Sequence, residues 1–69
     1  MSIVKVIEIL AESEKSWEDA TQQALTEAKK TIREIKNIYI KDFQAIVENE
    51  KIVKYRINAK ISFLLNSKD

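Results

Sequence analysis

Alternate residues between Ile52 and Leu65 fall into two classes. Val53, Tyr55, Ile57, Ala59, Ile61, Phe63 and Leu65 share one parity; Lys54, Arg56, Asn58, Lys60 and Ser62 share the other, with Leu64 the one exception. Successive strand side chains point to opposite faces, so this pattern predicts a strand over 52–65 with one face covered. Fourteen residues at the usual strand rise reach roughly 45 Å, far beyond the usual strand of about five or six residues. The segment 3–10 predicts another strand. It is rich in the β-branched Ile3, Val4, Val6, Ile7 and Ile9, and its two polar residues, Lys5 and Glu8, lie on opposite faces. A strand with so little polarity on either side is covered on both.

Between them the period changes. Ser13 and Ser16 are candidate N-caps, and Ser16-Trp17-Glu18-Asp19 is similar to a capping box with aspartate in the third position. Trp17, Ala20, Ala24, Ala28, Ile32 and Ile35 then recur at three- and four-residue steps. This stripe predicts a helix over 16–35, and its alanines predict a close approach to a sheet. Residues 37–48 predict a further strand whose alternation blurs from Asp42 to Ala45, through a bulge, a change of covered face or partner contacts. The run Glu48-Asn49-Glu50-Lys51 predicts a hairpin loop. Asn49 is the residue best able to take a positive φ in a chain with no glycine. Residues 66–69 form a polar tail. The order is β-α-β-β, an α+β domain over 1–69. A hairpin joining the second and third strands, with the third also antiparallel to the first, gives a three-stranded sheet of order 2-3-1. The helix covers one face; the other stays wet in a lone subunit.

Size turns this into an expectation of self-association. A chain of 69 residues buries only about 60% of its unfolded surface and needs added support. The absence of cysteine excludes disulfides and thiolate zinc sites. The absence of histidine removes the commonest metal ligand and general base. Association between copies is the support left. Twelve basic and eleven acidic residues are interspersed, for a net charge of +1, so no long-range field favours nucleic acid or an anionic membrane. No apolar run approaches membrane-spanning length and no signal-peptide pattern opens the chain, so a cytoplasmic setting is expected.

Candidate chemistry is sparse. Glycine-rich phosphate loops and histidine-based nucleophile triads are impossible in this composition, and no enzymatic activity is expected. Glu8, Glu12, Glu14, Glu18 and Asp19 crowd the first third of the chain. They read as solvated loop and helix-start acids or as oxygen ligands for a hard cation, without EF-hand spacing. Lys54, Arg56 and Lys60 alternate on one strand face with Asn58. They read as an anion or phosphate site, or as a ladder of cross-strand charge pairs. Trp17 reads as a stacking platform or as packing at the helix start. Tyr39 shares a strand face with Asn37 and reads as a stacking residue or as interface.

Five segments carry a resemblance. Val4-Lys5-Val6-Ile7-Glu8-Ile9 opens the chain, Ser13-Glu14-Lys15-Ser16-Trp17-Glu18-Asp19-Ala20 enters the helix, and Ala28-Lys29-Lys30-Thr31-Ile32 follows later in it. Lys54-Tyr55-Arg56-Ile57 and Lys60-Ile61-Ser62-Phe63 lie in the last strand. In order and spacing the chain resembles a dodecin over nearly its whole length. The resemblance implies the β-α-β-β fold and a hollow homododecamer of cubic symmetry. It also implies non-catalytic binding of flavin (riboflavin or its relatives, FMN among them), in pairs at subunit contacts. In that family a tryptophan at the start of the second strand stacks on the flavin. A glutamine just after the tyrosine of the third strand hydrogen-bonds its polar edge. Those positions hold Asn37 and Arg56 here. The expectation is a self-assembling protein that holds a small ligand with flavin binding weakened or lost. A phosphate-bearing molecule such as coenzyme A, or a cation, is expected instead, with Arg56, Lys54 and Lys60 as anion-facing candidates. Two alternatives stand beside it: flavin storage with Tyr39 or an arginine plane as substitute stacker, and a purely structural shell.

Overall fold

A computed structural model describes residues 3–65. Strand β1 spans Val4–Ser13, helix α1 Trp17–Ala28, strand β2 Ile35–Glu48 and strand β3 Lys51–Leu64. The strands form one sheet in the order β1-β3-β2 with both neighbouring pairs antiparallel, as the hydrophobic pattern predicts. The long strand is central and the molecule is elongated, 53 × 19 × 13 Å.

The helix packs on one face of the sheet through its smallest side chains. Ala20, Ile57 and Ala59 are fully buried together, with Ile9, Ala11, Trp17, Ile38 and Ile40 packed around them. Alanine on both surfaces lets the helix backbone settle close to the strands. Ser16 is the N-cap, its hydroxyl accepting from the Asp19 N–H at 2.9 Å. The Asp19 carboxylate does not close a capping box onto Ser16. It accepts instead from the Ser13 hydroxyl and the Gln23 amide, each at 2.6 Å.

All four elements have bounds that depart from the sequence expectation. The helix ends at Ala28, not at residue 35. Past Ala28, Lys30 N–H bonds Glu27 C=O at 3.1 Å and Thr31 N–H bonds Ala28 C=O at 3.2 Å. These i→i−3 bonds tighten the last turn, and Glu34 takes a positive φ of 53° that no helix continues through. Ile32 and Ile35 kept the helical period for another reason. Ile32 lines a groove beside α1, and Ile35 already pairs with Phe63 in the sheet. Strand β1 runs on past residue 10 to Ser13, because Ala11, Glu12 and Ser13 find partners in Ile57, Arg56 and Tyr55. Strand β2 begins at Ile35 rather than 37, and β3 spans 51–64 rather than 52–65. The 66–69 tail lies outside the described residues.

The blur in β2 is a bulge. Register shifts between Ile40 and Asp42, leaving Lys41 extra. Ile38 and Ile40 pair with Ile61 and Ala59 before it; Phe43 and Ala45 pair with Ile57 and Tyr55 after it. One added residue thus moves the parity that faces the helix side from even to odd. The β2–β3 loop is a two-residue turn. Asn49 takes the positive φ expected of it (52°), and Glu50 takes one as well (65°), the type I′ geometry that matches strand twist.

The open face of the sheet carries Lys54, Arg56, Asn58, Lys60, Ser62 and Leu64 along β3, with their partners on β1 and β2. Among the described residues the buried hydrophobic core is only Ala20, Ala24, Ile57, Ala59 and Ile61, while Val4, Val6, Leu10, Tyr39, Phe43 and Val47 stay more than half exposed. No described helix is long and apolar enough to cross a membrane.

Candidate functional site

The open face divides into two polar groups. At one end Asn37 lies opposite Ser62, whose hydroxyl donates to the Asn37 side-chain oxygen. Tyr39 lies opposite Lys60, which in turn faces Glu8 on β1. Tyr39 is 60% exposed, so its ring is available for contact.

At the other end Glu12 holds two cations. Arg56 donates from Nε and Nη2 to Glu12 Oε2 at 2.8 and 2.7 Å, and Lys54 Nζ lies 3.6 Å from Oε1. Arg56 also reaches Gln44 Oε1 through Nη1 at 3.4 Å. Between the groups, Lys41 from the β2 bulge reaches Glu8 at 3.5 Å. The side-chain oxygen of Asn58 is buried with no hydrogen-bond partner among the described residues. Cation and carboxylate therefore alternate across the face as a cross-strand ladder, and the positive charge of Arg56 and Lys54 is largely answered within the chain.

Asn37 and Arg56 do not meet in one subunit. Their positions along β3, Ser62 and Arg56, are six residues apart, about 20 Å at the strand rise. Asn37, Tyr39 and Lys60 form one set; Arg56, Lys54, Glu12 and Gln44 form the other. A ligand touching both sets would have to bridge two copies. Glu12 and Gln44 as the partners of Arg56 were not singled out from sequence. The signal for Glu12 was present: Glu8 and Glu12 on β1 face Lys60 and Arg56 on β3 in one constant register.

Of the early carboxylates, Glu12, Glu14 and Asp19 line a hollow of about 380 Å³ at the start of α1, together with Ser13, Lys15, Gln23 and Lys54. Among the described residues no three His, Cys, Asp or Glu side chains converge closely enough to hold a metal. Trp17 is part of the packing. Its indole N–H donates to Gln44 C=O at 2.9 Å, and its ring meets Tyr55 and Phe43 edge-on at 4.9 and 5.8 Å.

Among the described residues, three carboxyls are held below their ordinary values. A hydrogen bond from Arg56 does this for Glu12, assisted by the charges of Arg56 and Lys54 against partial desolvation. Asn58 and then Lys41 do so for Glu8, and Ser13 and Gln23 for Asp19. A depressed carboxyl contributes stability that is complete above its unfolded value, 4.5 for glutamate, and is lost as pH falls through the lower folded value. Thermal midpoints are therefore expected to hold between about pH 8 and 5 and to drop below that. Glu12→Gln is expected to flatten the acid limb of the profile. An unchanged limb in that variant would show that the Glu12 cluster contributes nothing.

The Dodecin family model matches residues 3–66. The chain is 32% identical over 63 residues to the calcium dodecin of Mycobacterium tuberculosis, across 91% of this chain and 89% of that one. The crystal structure of that calcium dodecin, described as having a novel calcium-binding site, superposes with a TM-score of 0.83 at 28% identity, covering 99% and 97% of the two chains. A mutant of the Thermus thermophilus dodecin superposes at 0.90 with 25% identity over 97% of this chain and all of that one. The Streptomyces coelicolor dodecin matches in fold, at 0.90 with 19% identity, over 97% and 96%.

Proposed function

The chain belongs to the dodecin family, and from that footing we propose a non-catalytic protein whose copies close into a hollow twelve-subunit shell and hold a small charged ligand in place of flavin. The observation that carries the ligand reading is the state of the two flavin positions. Asn37 has no π face and is hydrogen-bonded to Ser62. A lost aromatic stack costs about 1–3 kcal/mol per ring, by analogy with base stacking. Arg56 only donates and is bound to Glu12, so it offers no acceptor to a flavin imide. The thin core and the half-exposed Val4, Val6, Leu10 and Phe43 support the shell, since a second copy is the simplest cover for them. The ladder of charged side chains on the open face supports a phosphate-bearing or cationic occupant over a neutral one.

A calcium ion is the second reading. It is favoured by the likeness to a calcium dodecin and by the Glu12–Glu14–Asp19 hollow. Among the described residues too few carboxylates converge, so a neighbouring copy would have to complete that site.

Titration with riboflavin and FMN is expected to give no saturable fluorescence quenching at high micromolar protein. Asn37→Trp combined with Arg56→Gln is expected to restore it, with affinity rising roughly ten- to hundredfold if one stack is regained. Tight quenching by the unmodified protein would overturn the loss of flavin. No gain in the double variant would overturn the placement of the two positions. Calorimetric titration with calcium chloride and with coenzyme A separates the two charged ligands.

A further inference from the structure

The two edges of the sheet are not alike. Strand β2 is interrupted by register shifts after Ile35, Ile40 and Ile46, and two of these leave a lysine, Lys36 or Lys41, as the extra residue. Bulges and lysines are the usual means of keeping an edge from pairing. Strand β1 has no bulge, and Lys5, near its start, is its one lysine. Its register with β3 is unbroken from Val4↔Leu64 to Ser13↔Tyr55. Leu65 N–H bonds Ile3 C=O at 2.9 Å, so the odd residues of β1 bond to β3. Val4, Val6, Glu8 and Leu10 therefore turn their backbone N–H and C=O groups to the free edge.

The side chains along that edge are mostly apolar, with Lys5, Glu8 and Glu12 its charged residues. Val4, Val6 and Leu10 are 54%, 53% and 65% exposed on the open face. On the helix face, Ile7, Ile9, Ala24, Ala28 and Ile32 line a groove of about 440 Å³ between β1 and α1.

We infer that the β1 edge pairs antiparallel with the β1 edge of a second copy about a two-fold axis, joining two sheets into one of six strands. The inference rests on the self-assembling reading above and names the contact that makes the assembly. An isologous contact uses the same surface twice, and an antiparallel edge donates and accepts in the pattern its own copy needs. Pairing would also set the two α1–β1 grooves on either side of the axis, each facing the other copy.

Charge narrows the register. Partners directly opposite must lie on the same face, so a residue must stand on the axis. Lys5 or Glu8 there would oppose its own copy, and Leu10 there would set Glu8 against Glu12; like charges opposite one another are destabilising. Centres at Val4 or Ala11 overlap only a few residues near one end of the strand, so Val6, Ile7 and Ile9 remain.

The chain contains no cysteine, so single substitutions report one position each. Val6→Cys, Ile7→Cys and Ile9→Cys, in the assembled protein under mild oxidation, are expected to give a disulfide-linked dimer at one of the three positions. Opposed residues in an antiparallel pair have Cα atoms about 4.5–5.5 Å apart, within disulfide reach. Lys41→Cys on the β2 edge is expected not to cross-link. Assembled protein in which none of the three β1 cysteines links, or in which only Lys41→Cys does, overturns the inference. Val6 is exposed, so its variant keeps the fold if the others do not. Native mass of the unmodified protein reports on the shell separately. Twelve copies without β1 links sink this inference alone; a two-copy particle linked through β1 sinks the shell alone.

Discussion

Ile57→Ala is expected to lower the stability of the folded chain by about 2–5 kcal/mol, the usual range for truncating a buried aliphatic residue. Ile57 is fully buried at the middle of β3, opposite Ala11 on β1 and Phe43 on β2 and beneath Ala20 of the helix. Its buried neighbour on the helix, Ala20, has no side-chain length with which to fill the space. Collapse around the cavity would require the helix itself to move. A domain of this size has a total stability of only about 3–10 kcal/mol, so the loss is comparable to the whole. Ile57→Val is expected to cost about 0.5–1.5 kcal/mol. Denaturant unfolding at fixed protein concentration, followed by Trp17 fluorescence, measures both, and concentration must be held because assembly adds to apparent stability. An Ile57→Ala midpoint equal to that of the unmodified protein, at equal slope, would show that this residue does not anchor the core.

The second large effect is expected at Trp17. Its ring touches Tyr55 and Phe43 and its N–H holds Gln44 C=O, so one side chain at the start of α1 is tied to both β2 and β3. Trp17→Ala is expected to cost about 3 kcal/mol, the lower end of the range for a large aromatic, because the ring is only partly buried. Trp17→Phe keeps most of the apolar contact and removes the donor, for about 1 kcal/mol. Circular-dichroism melts rank the two. Hydrogen exchange locates the damage, which should fall on the first turn of α1 and on β2 near Gln44. Equal melting of Trp17→Ala and the unmodified protein would mean that the helix is held by its alanine stripe alone.

The strands and the start of the helix were legible because their signals are local. Alternation over 52–65 needs only the pleat of a strand, and Ser16 caps a helix by reaching three residues ahead. The end of the helix was not legible, since Ile32 and Ile35 keep the helical spacing while serving a groove and a strand. A period of apolar residues records burial; it does not record what element buries them. The bulge at Lys41 left a visible trace in the pattern, but a bulge and a change of covered face leave the same trace in one strand taken alone.

The candidate site divides along the same line. That Lys54, Arg56 and Lys60 share a face follows from their parity, and the expectation that places Asn37 and Arg56 at flavin positions comes from the resemblance alone. That Arg56 is held by Glu12, 44 residues away in the chain, follows from the register between β1 and β3. The separation of Asn37 from Arg56 follows from the register between β2 and β3. Strand pairing is set by long-range packing of whole faces, and a shift of one residue would turn every partner to the other side. Face and cap are properties of neighbouring residues and are written in the sequence; partner and distance belong to the folded sheet, because only there do residues far apart in the chain come opposite one another.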